Sequence, residues 1–219
     1  MQKRHFLNVV FSLAAVLLFG AAPMQAQAQA QLTAGRDYAP ITPPQPTETP
    51  AKIEVIEFFS YGCIHCYHFH ADLKKWVAKL PADVVFKRVP ISFNRSPWFN
   101  LNRLFYSLEA IGELSRLDDA VFAAIHDKNV KLYDDDTIKA WVAQEGVDAK
   151  KFADAYVSFG VQSKSKRADQ LAAAYKVQGT PSLAIDGRYM VLNEGVSSYG
   201  DLLSRADKLI GKVRSERKK

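Results

Sequence analysis

Cysteine is almost missing from this chain: two residues in 219, Cys63 and Cys66. Two cysteines cannot build the multi-bridge framework that holds small exported domains together. They also fall short of a four-cysteine zinc site. Glycine-rich phosphate loops and nucleotide motifs are lacking, so no bound cofactor is expected. Beyond the first 30 residues no segment is long and apolar enough to span a bilayer. A strong charge of one sign is lacking as well. Removing Lys3 and Arg4 from the 29 basic side chains leaves 27 against 23 acidic ones, too mild a balance to argue for nucleic acid.

What is present begins with an export signature. Lys3, Arg4 and His5 precede an apolar run from Phe6 to Ala22, followed by small residues at cleavage spacing, Ala26-Gln27-Ala28 or Ala28-Gln29-Ala30. Residues 1–28 therefore read as a signal peptide, with cleavage as late as 30, rather than as a retained membrane anchor. Export places the two cysteines where disulfides form and persist. Residues 29–50 carry Pro40, Pro43, Pro44, Pro46 and Pro50, and are expected to form an extended leader without regular structure. The remainder, 48% hydrophobic and 24% charged over the whole chain, has enough apolar side chain for a sizeable core.

Ile53 to Phe59 is β-rich and apolar, and reads as a buried strand. Tyr61-Gly62 breaks it, a helix follows from about Cys63 to Leu80, and Val84 to Ile91 reads as a second strand. That order is a parallel βαβ unit. From about 97 to 160 the pattern is helical only, over Leu101–Ile111, Leu117–His126, Thr137–Glu145 and Ala149–Tyr156. Asp136, last of three consecutive acids, is placed to cap the third of these. A further helix spans about Gln162 to Tyr175. A hairpin turns at Asp186-Gly187 between Ser182–Ile185 and Tyr189–Leu192. Tyr199 to Val213 closes the chain as a helix. Its basic run, Lys208 to Lys219, is expected to be a solvated helix end favourable to the helix dipole.

Chemistry concentrates in Cys63-Ile64-His65-Cys66. Cysteines three apart at a helix start lie on one face, where their sulfurs close a small disulfide ring or open to a dithiol. Unpaired N–H groups and the macrodipole at the helix N-terminus favour a Cys63 thiolate, and His65 adds a donor or a positive charge beside it. Cys66, one turn deeper, is the less exposed thiol. A stabilised thiolate weakens the disulfide and makes the oxidised form a good disulfide donor. A static structural bridge gains little from so short a loop. Zinc bound by both cysteines and two of His65, His68 and His70 is disfavoured, because His68 and His70 face different sides of a helix, where both are expected to be partly exposed.

Two stretches carry a family resemblance: Glu57-Phe58-Phe59-Ser60-Tyr61-Gly62-Cys63-Ile64-His65-Cys66-Tyr67-His68-Phe69, and Val177-Gln178-Gly179-Thr180-Pro181-Ser182. With them, and with its order of elements, the chain resembles the DsbA family of periplasmic disulfide oxidases over nearly all of its length beyond the signal. The resemblance implies an α/β, thioredoxin-like fold (residues 51–96 and 161–219) with an inserted α-helical domain at 97–160. It implies Cys63 as the nucleophile that forms mixed disulfides, Cys66 as its resolving partner and His65 as the stabiliser of the Cys63 thiolate. Pro181 would be a cis proline facing the disulfide, and the Thr180 backbone would pair with extended substrate. Glu57 would tune proton release from the buried thiol; its alternative is an acid at a strand edge reaching solvent. Ile64 stands where the family commonly has proline, and adds an apolar surface beside Cys63. The implied partners are reduced, unfolded exported proteins and a membrane quinone-linked reoxidase, DsbB, with the protein itself monomeric in the periplasm. Reductase or isomerase action on the same fold, and a binding or chaperone module with a static bridge, are the rival readings.

Overall fold

A computed structural model of the protein describes residues 32–218, so the signal segment lies outside the described residues. The chain order is β1 (Tyr38–Pro40), β2 (Ile53–Phe59), α1 (Ile64–Val77), β3 (Val84–Pro90), α2 (Ser96–Ile111), α3 (Leu114–His126), α4 (Asp135–Gln144), α5 (Ala149–Val157), α6 (Phe159–Ala174), β4 (Ser182–Ile185), β5 (Tyr189–Val191) and α7 (Tyr199–Glu216). The strands form one five-stranded sheet in the order β1-β5-β4-β2-β3. β2 and β3 run parallel, as a strand–helix–strand crossover requires, and the other pairings are antiparallel. This is the thioredoxin-like α/β fold with a helical stretch between β3 and β4.

The leader departs from its expected lack of structure. Tyr38–Pro40 adds the edge strand β1, with Pro40 opposite Tyr189. Proline offers no N–H to a ladder, which an edge strand tolerates and a central one does not. The leader then folds over the β4–β5 turn, where the Gln45 N–H donates to the Gly187 carbonyl at 2.8 Å. Gly187 has φ +64, and a Cβ there would lie 2.0 Å from the Gln45 carbonyl oxygen, so glycine is required both by conformation and by space.

Two smaller expectations change. Asp134, not Asp136, caps α4: its carboxylate accepts the Thr137 N–H at 2.9 Å, because the helix starts two residues earlier than its apolar pattern. The basic end of α7 is not merely solvated. Arg214 pairs with Asp83 at 2.6 Å, and Arg217 pairs with Asp186 and donates to the Pro50 and Lys52 carbonyls. These contacts tie the last turn of α7 to the start of β2 and to the hairpin.

Side chains alternate along β2. Ile53 and Val55 join Phe69 and Leu73 of α1 and Leu202, Ala206, Leu209 and Val213 of α7 in one apolar cluster. Ile56 and Phe58 belong to a second cluster with Ala168 and Ala172 of α6. That cluster continues through Phe59, Phe105 and Phe122 to Trp141 and Tyr156, so sheet and helical stretch share one core. The C-terminal end of β2, where Glu57 and Phe59 lie, is thereby roofed by helices from the insert.

Candidate active site

β2 ends at Phe59, and Ser60-Tyr61-Gly62 turns the chain into α1. Cys63 occupies the N-cap position with extended backbone, φ −94 and ψ 116, and no side chain caps the helix there. The first N–H groups of α1 are left for whatever sits at that end, which here is the Cys63 sulfur. A Cβ on Gly62 would lie 2.9 Å from the Trp98 indole nitrogen, so the turn carries glycine where α2 packs against it.

The two cysteines are thiols in this structure, and their environments pull them apart. The Cys66 thiol is donated to the Cys63 sulfur, and with further help from the Thr180 side chain and the N–H groups of Cys66 and His65 this lowers the Cys63 pKa to about 5, against the opposing effect of burial. The Thr180 carbonyl oxygen, 3.3 Å from Cys63 Sγ, only accepts and therefore serves the protonated form. Cys66 is fully buried, and burial together with the Cys63 contact pushes its thiol well above the ordinary range. Cys63 is itself nearly buried, at 9% exposure, rather than the exposed nucleophile of the family pattern; its sulfur is poised as an anion and the Cys66 sulfur is held as a thiol beneath it.

Thr180-Pro181 is a cis peptide, and it places the loop before β4 against Cys63. Ile64 is 43% exposed, one of three large hydrophobic side chains exposed among the described residues. The His65 side chain is exposed, and its imidazole makes no hydrogen bond among the described residues; the backbone N–H, not the ring, reaches toward Cys63. Position on the first turn points that ring outward, which the residue type alone could not tell.

Glu57 does not reach solvent. It is 1% exposed, and burial raises its pKa although Arg88 of β3 opposes the shift. Arg88 stands directly opposite in the parallel register, and its Nε donates to Glu57 Oε2 at 2.7 Å. Its Nη1 donates to Asp118 Oδ2 of α3 at 2.6 Å, and its guanidinium lies 3.8 Å over the Phe59 ring. Burial disfavours the Arg88 charge, but Glu57 and Asp118 more than offset it and hold the guanidinium protonated. Glu57 Oε1 and Arg88 Nη2 stay buried without a protein partner. Sequence reasoning missed Arg88 and Asp118. The available signal was the adjacent cations Lys87 and Arg88 in an otherwise apolar strand, since register pairing of Arg88 with Glu57 follows once both strands are drawn.

His70 is a further correction: it is buried, not partly exposed, with Nε2 2.7 Å from Asp119 and 3.4 Å from Asp118. Its position four residues after Cys66 turns it toward α3. His70, Asp118 and Asp119 have ligand atoms close enough for a cation, but Lys74 and Arg88 already neutralise the two acids, and neither cysteine belongs to the cluster.

Comparisons place this geometry among known proteins. The family of DSBA-like thioredoxin domains matches residues 54–203. A thiol:disulfide interchange protein DsbA from Pseudomonas aeruginosa is 39% identical over 207 residues, 94% of this chain and 96% of the relative. Its counterpart from Bordetella parapertussis is 41% identical over 213 residues, 96% and 98% of the two chains. The crystal structure of Pseudomonas aeruginosa DsbA superposes with a TM-score of 0.81 at 38% identity, covering 86% of this chain and 97% of that one. The oxidoreductase NmDsbA1 from Neisseria meningitidis gives 0.77 at 26% identity, covering 87% and 98%.

Proposed function

The chain belongs to the DSBA-like thioredoxin family and is a thiol:disulfide oxidase, and we propose that Cys63 and Cys66 are its redox pair, acting on newly exported, reduced proteins in the periplasm. The asymmetry of the two thiols is the observation that carries this reading.

In the oxidised enzyme a substrate thiolate attacks Cys63 Sγ. The Cys63–Cys66 bond breaks, and Cys66 departs with the electron pair as a thiolate. Its environment favours the neutral thiol, so it takes up a proton, and Glu57, a buried carboxyl whose charge acts on Cys66, is able to supply one. A second substrate thiolate then attacks the substrate sulfur of the mixed disulfide. Cys63 leaves as a thiolate, and its low pKa makes it a good leaving group. The substrate has lost two electrons to a new disulfide, and the enzyme is a dithiol. Ile64, Thr180 and Pro181 form the surface that meets substrate: an apolar contact from Ile64 and a backbone edge at Thr180-Pro181 for an extended chain. Reoxidation falls to a membrane quinone-linked partner of the DsbB type. His65 contributes through its backbone N–H in the dithiol form.

The thiolate makes a signed prediction. In the reduced protein Cys63 titrates at about 5, below its unfolded value, so it stabilises that form fully above the unfolded pKa and loses this as pH falls through about 5. The reduced form should therefore be harder to unfold than the oxidised one at neutral pH, with the gap closing toward pH 5. Equilibration with glutathione supplies the decisive test. A potential near about −120 mV supports disulfide donation, whereas about −270 mV marks a thioredoxin-like reductant and overturns the assignment of these residues as a donor pair.

A further inference from the structure

Tyr61 is the last large side chain before Gly62-Cys63, and one stripe of α3 grips it at three points. Asp118, Phe122 and His126 are spaced four apart, so they stand in line on that helix. The Tyr61 hydroxyl donates to Asp118 Oδ1 at 2.5 Å. The Phe122 ring meets the Tyr61 ring edge-on, 4.9 Å between centroids. His126 Nε2 lies 2.8 Å from the Tyr61 carbonyl oxygen. A carbonyl oxygen only accepts, so Nε2 carries the proton.

His126 is itself held firmly. Its ring stacks on Tyr67 of α1 with centroids 5.1 Å apart and planes 15° apart, and Phe122, 6.2 Å from His126 and 6.0 Å from Tyr67, completes a three-ring cluster. The Tyr67 hydroxyl donates to Asp127, the C-cap of α3, at 2.8 Å. Two elements that flank the cysteine turn thus fix the direction of a single N–H. That donor is aimed at the peptide linking Tyr61 to Gly62.

We propose that His126 is a positioning residue for thiol–disulfide exchange: by holding the Tyr61 carbonyl it fixes the Tyr61–Gly62 peptide, and with it the angle at which Cys63 enters α1. The inference rests on Cys63 being the exchanging sulfur. The Cys63 N–H reaches back to the Ser60 carbonyl at 3.1 Å, so the turn is short and a rotated peptide within it displaces the sulfur. The donors that stabilise the thiolate are fixed in the first turn of α1. A sulfur displaced from them loses thiolate character, and the dithiol loses ground to the disulfide. His126 touches neither sulfur; it acts through the backbone.

The test uses the mature protein and three substitutions. His126→Phe keeps an aromatic ring against Tyr67 and Phe122 but has no N–H to donate, whereas His126→Gln keeps a side-chain N–H. His126→Phe is expected to shift the glutathione equilibrium about tenfold toward the disulfide, about 30 mV for this two-electron couple. It should also move the Cys63 thiolate titration to higher pH. His126→Gln is expected to stay within about twofold of wild type. Should His126→Phe not fold, His126→Met, also without a donor, carries the same expectation. A donor-less variant that melts earlier but keeps both the equilibrium and the titration would reduce His126 to packing and overturn the proposal. A shift in His126→Gln as large as in His126→Phe would overturn it too, since the donor would then be irrelevant. If the wild-type pair itself does not exchange with glutathione, the assignment of Cys63 fails and this inference falls with it. A normal wild type with an unmoved His126→Phe overturns this inference alone.

Discussion

Two glutamates on β2, Glu54 and Glu57, are both buried and both paired to a cation on β3, yet they differ in what holds them. Three apart on a strand, they point to opposite faces of the sheet. Glu54 receives Lys87 Nζ at 2.6 Å and the Glu48 N–H at 3.2 Å, and Lys87 also reaches the exposed Glu48. That cluster opens to water at its rim. Glu57 lies under α3, shares Arg88 with Asp118, and keeps one oxygen buried without a protein partner. The same residue type on one strand is thus a satisfied structural pair at the far end and a half-compensated carboxyl at the end that carries the cysteines. The roof above each glutamate, not the residue itself, makes the difference.

Removing the cations should expose this most sharply. Arg88→Met leaves Glu57 and Asp118 facing each other without their shared counter-ion, and should cost about 3–5 kcal/mol of stability. Lys87→Met leaves the buried Glu54 with the Glu48 N–H as donor and Glu48 itself in water, and should cost less, about 1–3 kcal/mol. Urea unfolding of both variants in the reduced state measures the contrast. Equal losses would mean that the two sites are energetically alike and would break the comparison.

Much of this arrangement was legible in the sequence, for identifiable reasons. Ile53–Phe59 showed as a strand because every position is apolar or sits in a buried run, and Asp186-Gly187 showed as a turn because both residues adopt positive φ. The cysteine pair announced its own chemistry by spacing. The helix starts were less visible: α2 and α6 begin several residues before their apolar periodicity, at Ser96-Pro97 and after the Ser158 cap. β1 was hidden by its proline, which local rules exclude and an edge position permits. The partners of Glu57 were hidden for a different reason. Arg88 is 31 residues away and Asp118 is 30 beyond that, and only the register and the docking of α3 bring them together. His70 misled because its helix looks two-sided until α3 covers it.

Two buried tyrosine hydroxyls extend the comparison to neutral groups. Tyr61, on the cysteine side, donates to the carboxylate of Asp118. Tyr175 caps α6, packs on Phe58 at 5.2 Å, and holds its hydroxyl buried without a protein partner. Tyr61→Phe should cost about 1.5–3 kcal/mol, as for a lost bond to a charged group. Tyr175→Phe should be neutral or slightly stabilising, because the group removed has no protein bond to lose. Thermal unfolding of the two variants orders them, and a large loss in Tyr175→Phe would point to an ordered partner for that hydroxyl.

The smallest effect returns to the glutamates and separates chemistry from stability. Glu57→Gln keeps the shape and removes the titrating proton beside the thiols. When Cys66 leaves as a thiolate it must be protonated inside a buried site, and a carboxyl whose pKa burial has raised still holds a proton at a pH where an ordinary glutamate does not. The substitution should slow the first exchange step about tenfold at pH values where the wild-type carboxyl holds its proton. It should also flatten its pH profile, because any fall in rate that comes from the wild-type carboxyl losing its proton is absent from the variant. Glu54→Gln, on the opposite face and paired through Lys87 to a solvent-facing rim, should leave rate and profile within about twofold of wild type. Stopped-flow mixing of oxidised enzyme with a reduced peptide across pH 4–9 reads both variants. A profile unchanged in Glu57→Gln would assign proton delivery to water and return Glu57 to the same structural class as Glu54. A profile changed only in Glu57→Gln would mean that β2 carries one glutamate for the fold and one for the reaction.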